Sequence, residues 1–474
     1  MSHTIKTRKT NITDMTVGNP TKHILLFALP LLLGNMFQQL YNTIDTVVVG
    51  KFVSADALAA TGSCGSLNFL FFSLSSGLAI GIGIIVAQYY GAKDDQGVKN
   101  TIANSLYILV AASLFTMTLG ILIARPLLTF LSTPEEILDM AVLYLRTTCC
   151  GIVFIALYNG VAAALRALGD AKTPLYFLII SSFLNIGFDL LFVIVFNMGV
   201  FGVAFATVIA QFISAIISLI YAVIKVPYFK LTKNEMKPQK HIILRSFKLG
   251  VPMAMQSSMI AISMIVIQSV VNSFGTVVMA AYTISCKVDL IASQLYNAIS
   301  TSLVTYAGQN MGAHDIGRIK KGYYRGIAIV TIYNCLIVPI IYMFARGLNA
   351  FFVNDPAVIE FGTTALRINV LFYFPLALIY VPRGVLNGSG DAKFSLINGI
   401  SEVVCRIVYV SLLTRIPGIG MWGIWWATAA TWTTVAIVCN LRYHIGKWQH
   451  LKPAGLSEKV NSTVKVNSTL KTKF

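Results

Sequence analysis

Four polar side chains lie inside long stretches that are otherwise apolar, and their chemical types suit a small cation. Asp45 lies in one such stretch and Thr207 in another, whereas Asn185 and Asp189 share a third. A spacing of four residues places Asn185 and Asp189 on one face of a helix. Carboxylate, amide and hydroxyl oxygens are hard donors that hold Na+ or share a proton. We therefore predict a cation-coupling site made of these four residues, with Na+ or H+ as its ion.

The stretches that position these residues are long enough to cross a lipid bilayer. Of 474 residues, 56% are hydrophobic and 11% are charged, whereas roughly 25% are charged in soluble domains. A helix needs about 20 apolar residues to span a hydrocarbon core of about 30 Å. We predict an all-α integral membrane protein with twelve spans, at residues 24–49, 57–90, 101–124, 140–165, 174–195, 200–224, 249–271, 277–308, 322–344, 361–386, 394–413 and 421–441.

The basic residues alternate between crowded and nearly empty connections. They crowd into residues 6–22, 225–248, 318–325 and 442–473, while the other connections keep little beyond Lys51, Arg125, Arg346 and Arg415. Because basic loops remain on the cytoplasmic side, we expect a protein of the cell (inner or plasma) membrane with both termini in the cytoplasm. This topology accounts for the net charge of +18, and we expect no nucleic-acid partner. Residues 1–22 are polar, so we expect no cleaved signal peptide.

The chain is an internal duplication with an offset of about 221 residues. The run Gly-Asp-Ala-Lys at residues 169–172 returns at 390–393, and Gln88 returns as Gln309. Two units with an even number of spans each are parallel, as in transporters whose halves rock around a central cavity. The repeated run suits helix ends better than a direct transport role. We predict a cytoplasmic tail (1–22), a first lobe of six spans (23–226), a cytoplasmic connector (227–245), a second lobe of six spans (246–445) and a cytoplasmic tail (446–474).

The duplication has diverged where the polar cluster lies. At the same offset, Arg406 stands in place of Asn185 and Val410 in place of Asp189, so only the first lobe can bind a cation in this way. An ionised side chain at bilayer depth costs roughly 2.5 to 3.5 kcal/mol and needs a partner, a wet cavity or a function. The alternative, that Asp45 and Asp189 only fix the packing of their helices, stays open from the sequence.

The same cost predicts ion pairs in the second lobe. Asp289 is expected to pair with Lys287, and Glu402 with Arg406 at helical spacing. In the first span, Pro30 lies fifteen residues before Asp45. A proline in a helix interior removes a hydrogen bond and promotes a kink, so we predict a hinge there.

Soluble-enzyme chemistry is not visible in the spans. All six histidines fall in tails or connections, and no Gly-x-x-x-x-Gly-Lys-Ser/Thr loop occurs. We therefore expect a transporter that is not an enzyme, has no cofactor, and draws its energy from an ion gradient.

These residues resemble the multidrug and toxic compound extrusion (MATE) family of cation-coupled exporters, especially its bacterial members. The resemblance covers nearly the whole chain and rests on Pro30 and Asp45, Ala87-Gln88 with Gly91-Ala92, Gly308-Gln309 with Gly312-Ala313, both Gly-Asp-Ala-Lys runs, and Asn185 with Asp189. It implies a V-shaped pair of six-helix lobes that exports amphipathic, often cationic drugs against H+ or Na+ by alternating access. It also implies that Asp45, Asn185, Asp189 and Thr207 form the cation site, and that the proline of helix 1 bends during turnover.

The resemblance further implies that helices 7 and 8 line a substrate cavity. Some relatives carry additional acids in helices 7 and 10, whereas this chain has Gln256 in helix 7 and no acid in helix 10. The candidate substrate contacts are Tyr41, Gln256, Asp289, Tyr296, Glu402 and Arg406. We expect drug-like organic substrates and a monomer in the lipid bilayer. Two alternatives remain: a flippase for lipid-linked oligosaccharides, which would need a strongly basic cavity, and a membrane enzyme acting on lipids, which would need clustered His, Asp or Ser near one interface.

Overall fold

The computed structural model describes residues 11–131 and 133–454, and its regular elements in these ranges are all helical. The first lobe contains α1 (Pro20–Phe52), α2 (Ala55–Ser63), α3 (Gly65–Gly91), α4 (Asp95–Phe130), α5 (Glu135–Cys150), α6 (Ile152–Ala167), α7 (Lys172–Leu190) and α8 (Gly199–Lys225). The second lobe contains α9 (Lys240–Asn272), α10 (Thr276–Gly312), α11 (Ile316–Phe352), α12 (Pro356–Leu371), α13 (Tyr373–Gly388), α14 (Ala392–Leu413) and α15 (Gly423–Ile445). Predictions for residues 1–10 and 455–474, including much of the basic charge of both tails, fall outside the described residues.

The length and composition of these helices fit a membrane. Ten unbroken or nearly unbroken helical segments of the described chain can cross a bilayer, and counting the bent pairs α5/α6 (41°) and α12/α13 (44°) as one crossing each gives twelve. In α11, the most apolar stretch has a mean hydropathy of 2.2, yet only 17% of it is buried inside the protein. Such a surface is stable only against lipid. The predicted all-α membrane fold is confirmed.

The backbone repeats the duplication seen in the sequence. Eight of the eleven residues with positive φ in the described ranges form four pairs 221 positions apart: Lys93 and His314, Gly169 and Gly390, Asn197 and Gly418, and Gly199 and Gly420. The break between α5 and α6 at Gly151 has its counterpart between α12 and α13 at Phe372. The turns and bends of the two lobes therefore follow one plan, so a residue can be compared with its counterpart 221 positions away.

The duplicated acidic residues cap helices. Asp94 and Asp170 accept hydrogen bonds from the N–H groups of Gly97 and Thr173, both at 2.9 Å. Their counterparts Asp315 and Asp391 do the same at the starts of α11 and α14. Before Asp170, Gly169 has φ +88° and a Cβ there would lie 2.0 Å from the Thr13 carbonyl oxygen, so a side chain is excluded. These contacts favour the capping interpretation of the repeated motifs.

The lobes meet at the face where both ends of the described chain lie, here called the terminal face. Gln309 accepts a hydrogen bond from the Met15 N–H (2.8 Å) and donates one to the Ala167 carbonyl (2.8 Å). Its counterpart Gln88 accepts one from the Ala454 N–H (3.0 Å). Both glutamines are essentially buried, at 0% and 1% exposure. Each glutamine thus ties its own lobe to a segment of the other, and this end of the molecule is closed.

Hydrophobic packing shows where the lobes separate. Toward the terminal face, Ile24 and Ala28 of α1 belong to a core cluster made mostly of second-lobe residues, and Leu78 of α3 shares a cluster with Met253 of α9. In the opposite half, the clusters identified among the described residues each belong to one lobe. Because the shared packing is confined to one end, the two lobes diverge toward the other.

Candidate cation-coupling site

Three helices of the first lobe bring the four predicted site residues together. The Asn185 side-chain amide, on α7, donates to the Thr207 hydroxyl on α8 at 3.4 Å, and that hydroxyl donates to the Val203 carbonyl at 3.2 Å. Asp189 lies one turn further along α7 and is 0% exposed. Asp45, from α1, completes the group because its carboxyl adjoins that of Asp189. The predicted juxtaposition is present in the structure.

The site is rich in acceptors and poor in donors. Two ionised carboxylates have only acceptor oxygens, so Asp45 and Asp189 can bond to each other only if one carries a proton. Four buried oxygens here have no hydrogen-bond partner: Asp45 Oδ1, Asn185 Oδ1 and both carboxylate oxygens of Asp189. A buried acceptor without a partner costs about 1 to 3 kcal/mol. A proton or a small cation such as Na+ would satisfy these oxygens, so the donor set fits either ion.

A local change of helix type follows the site. The chain continues past α7 as a π-helical turn, Leu191–Val195, which begins two residues after Asp189. Phe192 in this turn stacks on Phe188 and Phe196, with ring centroids 5.7 and 6.1 Å away. Single π-helical turns inside α-helices are frequent at functional sites. The described helix α14 of the second lobe ends without such a turn, so this feature belongs to the first lobe. Nothing in the sequence predicted it.

Two tyrosines lie close to the carboxylates. Tyr41, predicted as a substrate contact, is near Asp45 and bonds to Gln38 on its own helix. Tyr144, on α5, lies within electrostatic range of both Asp45 and Asp189. Tyr144 is not among the predicted site residues, because an aromatic residue on an apolar span has no pattern that separates a site neighbour from a lipid contact.

The second lobe has arginine chemistry at the equivalent place. Arg406 donates from Nε to the Ser263 hydroxyl (2.9 Å) and from Nη1 to the Thr428 hydroxyl (3.2 Å). Its Nη2 lies 3.7 Å from Glu402, and Arg383 lies 3.5 Å from the other oxygen of the same carboxylate. The predicted pair of Glu402 and Arg406 is therefore present, with a second arginine that was not predicted.

The predicted pair of Asp289 and Lys287 is wrong. Asp289 accepts hydrogen bonds from the Tyr373 hydroxyl (2.6 Å) and the Asn369 amide (2.9 Å). Lys287 lies instead over the ring of Phe352, 5.3 Å from its centroid. Residues two apart on a helix point about 200° away from each other, so these two side chains leave α10 on opposite sides.

Two predicted cavity residues are buried inside the second lobe in this conformation. Tyr296 is 0% exposed and donates to the Asn334 side chain at 2.6 Å. Gln256 is buried and donates to the Asn398 side chain at 2.6 Å. Neither side chain reaches an open surface here. Their polarity predicted a cavity, whereas the structure satisfies it with amide and phenol partners inside the helix packing.

Comparison with known proteins supports the repeat and the resemblance. The MatE family model matches the chain twice, at residues 30–191 and 252–412, so the two matches start 222 and end 221 residues apart. The probable multidrug resistance protein YpnP of Bacillus subtilis is 29% identical, over 93% of this chain and 98% of its own. The multidrug export protein MepA of Staphylococcus aureus is 21% identical, over 89% and 92%.

Solved structures have the same fold. A transporter of the MOP superfamily from Pyrococcus furiosus superposes with a TM-score of 0.87 at 22% identity, covering 94% of this chain and all of that one. An outward-facing MATE family transporter of the MOP superfamily superposes with a TM-score of 0.85 at 23% identity, with the same coverage. Together with the doubled family match, these likenesses show that the chain belongs to the MATE family and is a multi-pass membrane transport protein, not an enzyme.

Proposed function

We propose that this chain exports amphipathic or cationic small organic molecules in exchange for H+ or Na+, and that the exchanged cation binds at Asp45, Asn185, Asp189 and Thr207. The observation that carries the proposal is the group of four buried oxygens without partners, two of them on Asp189. Packing alone would leave these acceptors unsatisfied, whereas an exchangeable cation satisfies them in one of two states. The relatives named for multidrug resistance and export support the substrate class.

Helix α1 connects the site to the interface between the lobes. Its first half packs against the second lobe, where the Ser302 hydroxyl donates to the Ile24 carbonyl at 3.1 Å. Its other half carries Asp45, and the buried Pro30 lies between the two. Proline leaves one helical carbonyl without its usual donor, which makes α1 easier to bend at this level. A change of charge at Asp45 then alters the bend of α1 and, through it, the contact between the lobes.

Coupling follows from reciprocal linkage. If the cation and the substrate favour opposite conformations, binding of one promotes release of the other. The described protein is closed at the terminal face and diverges at the opposite one, as an exporter is when it releases substrate. The basic connections at the terminal face support the cytoplasmic location of both termini. The closed end then faces the cytoplasm and the open end the exterior.

The charges inside the molecule favour drug export over the flippase alternative. The ionisable side chains inside the lobes include the acids Asp45, Asp189, Asp289 and Glu402 and the bases Arg166, Arg383 and Arg406. A pyrophosphate-linked substrate needs a strongly basic cavity. A mixed interior with free carboxylates suits cationic substrates and cations.

The test is dye transport in proteoliposomes with H+ and Na+ gradients imposed separately. We expect one gradient to drive accumulation of a cationic dye in the wild type, and Asp45→Asn to abolish that accumulation. Asp56→Asn is the matched control, because Asp56 is an exposed carboxylate in the first turn of α2. Gradient-driven transport by Asp45→Asn at the wild-type rate would overturn the proposal.

A further inference from the structure

The second lobe carries an arginine at the position of the site amide. Arg406 corresponds to Asn185, and Thr428 corresponds to Thr207, at the offset of 221. The same hydrogen bond is made in both lobes: Asn185 to Thr207 at 3.4 Å, and Arg406 to Thr428 at 3.2 Å. The equivalence is therefore one of contacts as well as of sequence. A positive charge therefore stands in the second lobe at the position that a neutral amide occupies in the first.

The surroundings differ in a way that matches this charge. Val410 takes the place of Asp189, and both are 0% exposed, so an apolar side chain replaces the carboxylate. In the first lobe, four buried oxygens have no partner. In the described second lobe, the side chains of Ser263, Glu402, Arg406 and Thr428 leave no buried polar atom without one, and the unpartnered atom next to them is a donor, Arg383 Nε, rather than an acceptor. The guanidinium thus satisfies the buried oxygens of the second lobe, as an added cation would satisfy those of the first.

We propose that Arg406 is a built-in cation, which holds the second lobe permanently in the arrangement that the first lobe adopts only when its cation is bound. The proposal rests on the proposed cation-coupled function of the first lobe. It assigns the exchange of ions to one site per chain. The second lobe becomes the fixed partner against which the first lobe changes its shape.

The contacts explain why an arginine does this and a lysine would not. The guanidinium reaches Ser263 on α9, Thr428 on α15 and Glu402 on its own helix, so it joins three directions at once. A planar fork with five N–H donors makes such contacts, whereas an ammonium is a point charge. Arg383 lies on the far side of Glu402, with no arginine counterpart in the first lobe, where Ala162 stands. It therefore supports the carboxylate without occupying the cation position.

The test removes the guanidinium group of Arg406 and supplies guanidinium ion in solution. Arg406→Ala leaves a buried space of guanidinium shape, so guanidinium ion at millimolar concentration should bind it. A ligand that binds only the folded state raises its stability in proportion to the logarithm of its concentration. We expect guanidinium to raise the melting temperature of purified Arg406→Ala but not that of the wild type, and to restore at least several-fold the dye transport that this variant loses. Arg415→Ala is the matched control, because this arginine is exposed just after α14 and its removal leaves no buried space for guanidinium.

The outcomes separate this inference from the proposed function. Wild-type transport by Arg406→Ala, or a folded but inactive variant that guanidinium neither stabilises nor restores, would overturn the built-in cation. Stabilisation is measured without any transport, so it can be read even if the first-lobe site proves not to couple. Conversely, normal transport by Asp45→Asn would refute the coupling proposal while leaving the guanidinium binding result intact.

Discussion

An alanine at Gly91 should open the terminal face. The two lobes touch there through a reciprocal contact, in which Gly91 lies against the backbone of Gln309 and Gly312 against that of Gln88. A Cβ on Gly91 would lie 1.8 Å from the Gln309 carbonyl oxygen, and one on Gly312 would lie 1.9 Å from that of Gln88. Since non-bonded heavy atoms in contact lie about 3.5 Å apart, the helices would have to retreat by more than about 1.5 Å.

The size of the change in conformational equilibrium depends on the state in which the clash occurs. Overpacking of a tight interface costs about 1 to 3 kcal/mol. The clash exists only while the terminal face is closed, so the cost shifts the equilibrium toward the conformation that is open at that face. A shift of this size changes the ratio of two conformations about 5- to 150-fold.

The distance across the terminal face reports this shift. Gln96 and Gly317 are exposed counterparts at the starts of α4 and α11. Spin labels are attached at Gln96→Cys and Gly317→Cys in a background without native cysteines. Double electron–electron resonance then gives the distribution of distances between them. We expect a longer distance to dominate when Gly91→Ala is added.

Gly347→Ala is the matched control, because a Cβ on Gly347 in α11 meets nothing within 4 Å. The same exchange of glycine for alanine in an open helical position favours the helix by about 1 kcal/mol and leaves the contact between the lobes unchanged. If Gly91→Ala and Gly347→Ala give the same distance distribution as the parent, the closed contact has been assigned to the wrong residues.

Three further outcomes follow from particular contacts. Thr207→Val removes a hydroxyl of the site, so the cation concentration for half-maximal transport should rise about fivefold, as for the loss of about 1 kcal/mol; an unchanged concentration would exclude Thr207 from the site. Asp391→Ala should lower the melting temperature more than Asp170→Ala. Both substitutions remove a helix cap, at about 1 kcal/mol, but Asp391→Ala also leaves the partly buried Arg442 unpaired, at about 3 to 5 kcal/mol. Equal shifts would contradict this. Burial tends to raise the pKa of Glu235, but hydrogen bonds from the connector and from Lys99 outweigh it and hold the pKa below 4.5. Docking of the connector is then stable above about pH 4.5 and is lost as the pH falls through the lower pKa of the folded state, which limited proteolysis at stepped pH would show; cleavage that is independent of pH would refute it.

The twelve spans and the duplication could be predicted because they depend on signals that the sequence carries directly. Hydrophobic length sets the crossings, and a constant offset reveals the repeat. The offset also predicted that Arg406 and Val410 stand where Asn185 and Asp189 do, which the structure bears out in the contact to Thr428. The helix caps could also be predicted, because Asp and Gly have local roles at helix ends.

What the sequence did not show depends on tertiary contacts. The pairing of Asp289 with Lys287 followed from charge alone, whereas the direction in which each side chain leaves the helix decides the partner. The π-helical turn after Asp189 has no sequence signature, and the buried state of Tyr296 depends on Asn334, 38 residues away. Polar residues in spans predict that a partner exists, but not which one it is.

The measurement that tests the central claim most directly is cation release by substrate from purified protein. The claim is that a cation bound at Asp45 and Asp189 opposes substrate binding. Adding ethidium, a cationic dye, to the wild type in detergent should release H+ or Na+ in proportion to the dye bound, and Asp189→Asn should bind dye without release. Release that is undiminished in Asp189→Asn, or dye binding to the wild type with no release of either ion, would contradict the account.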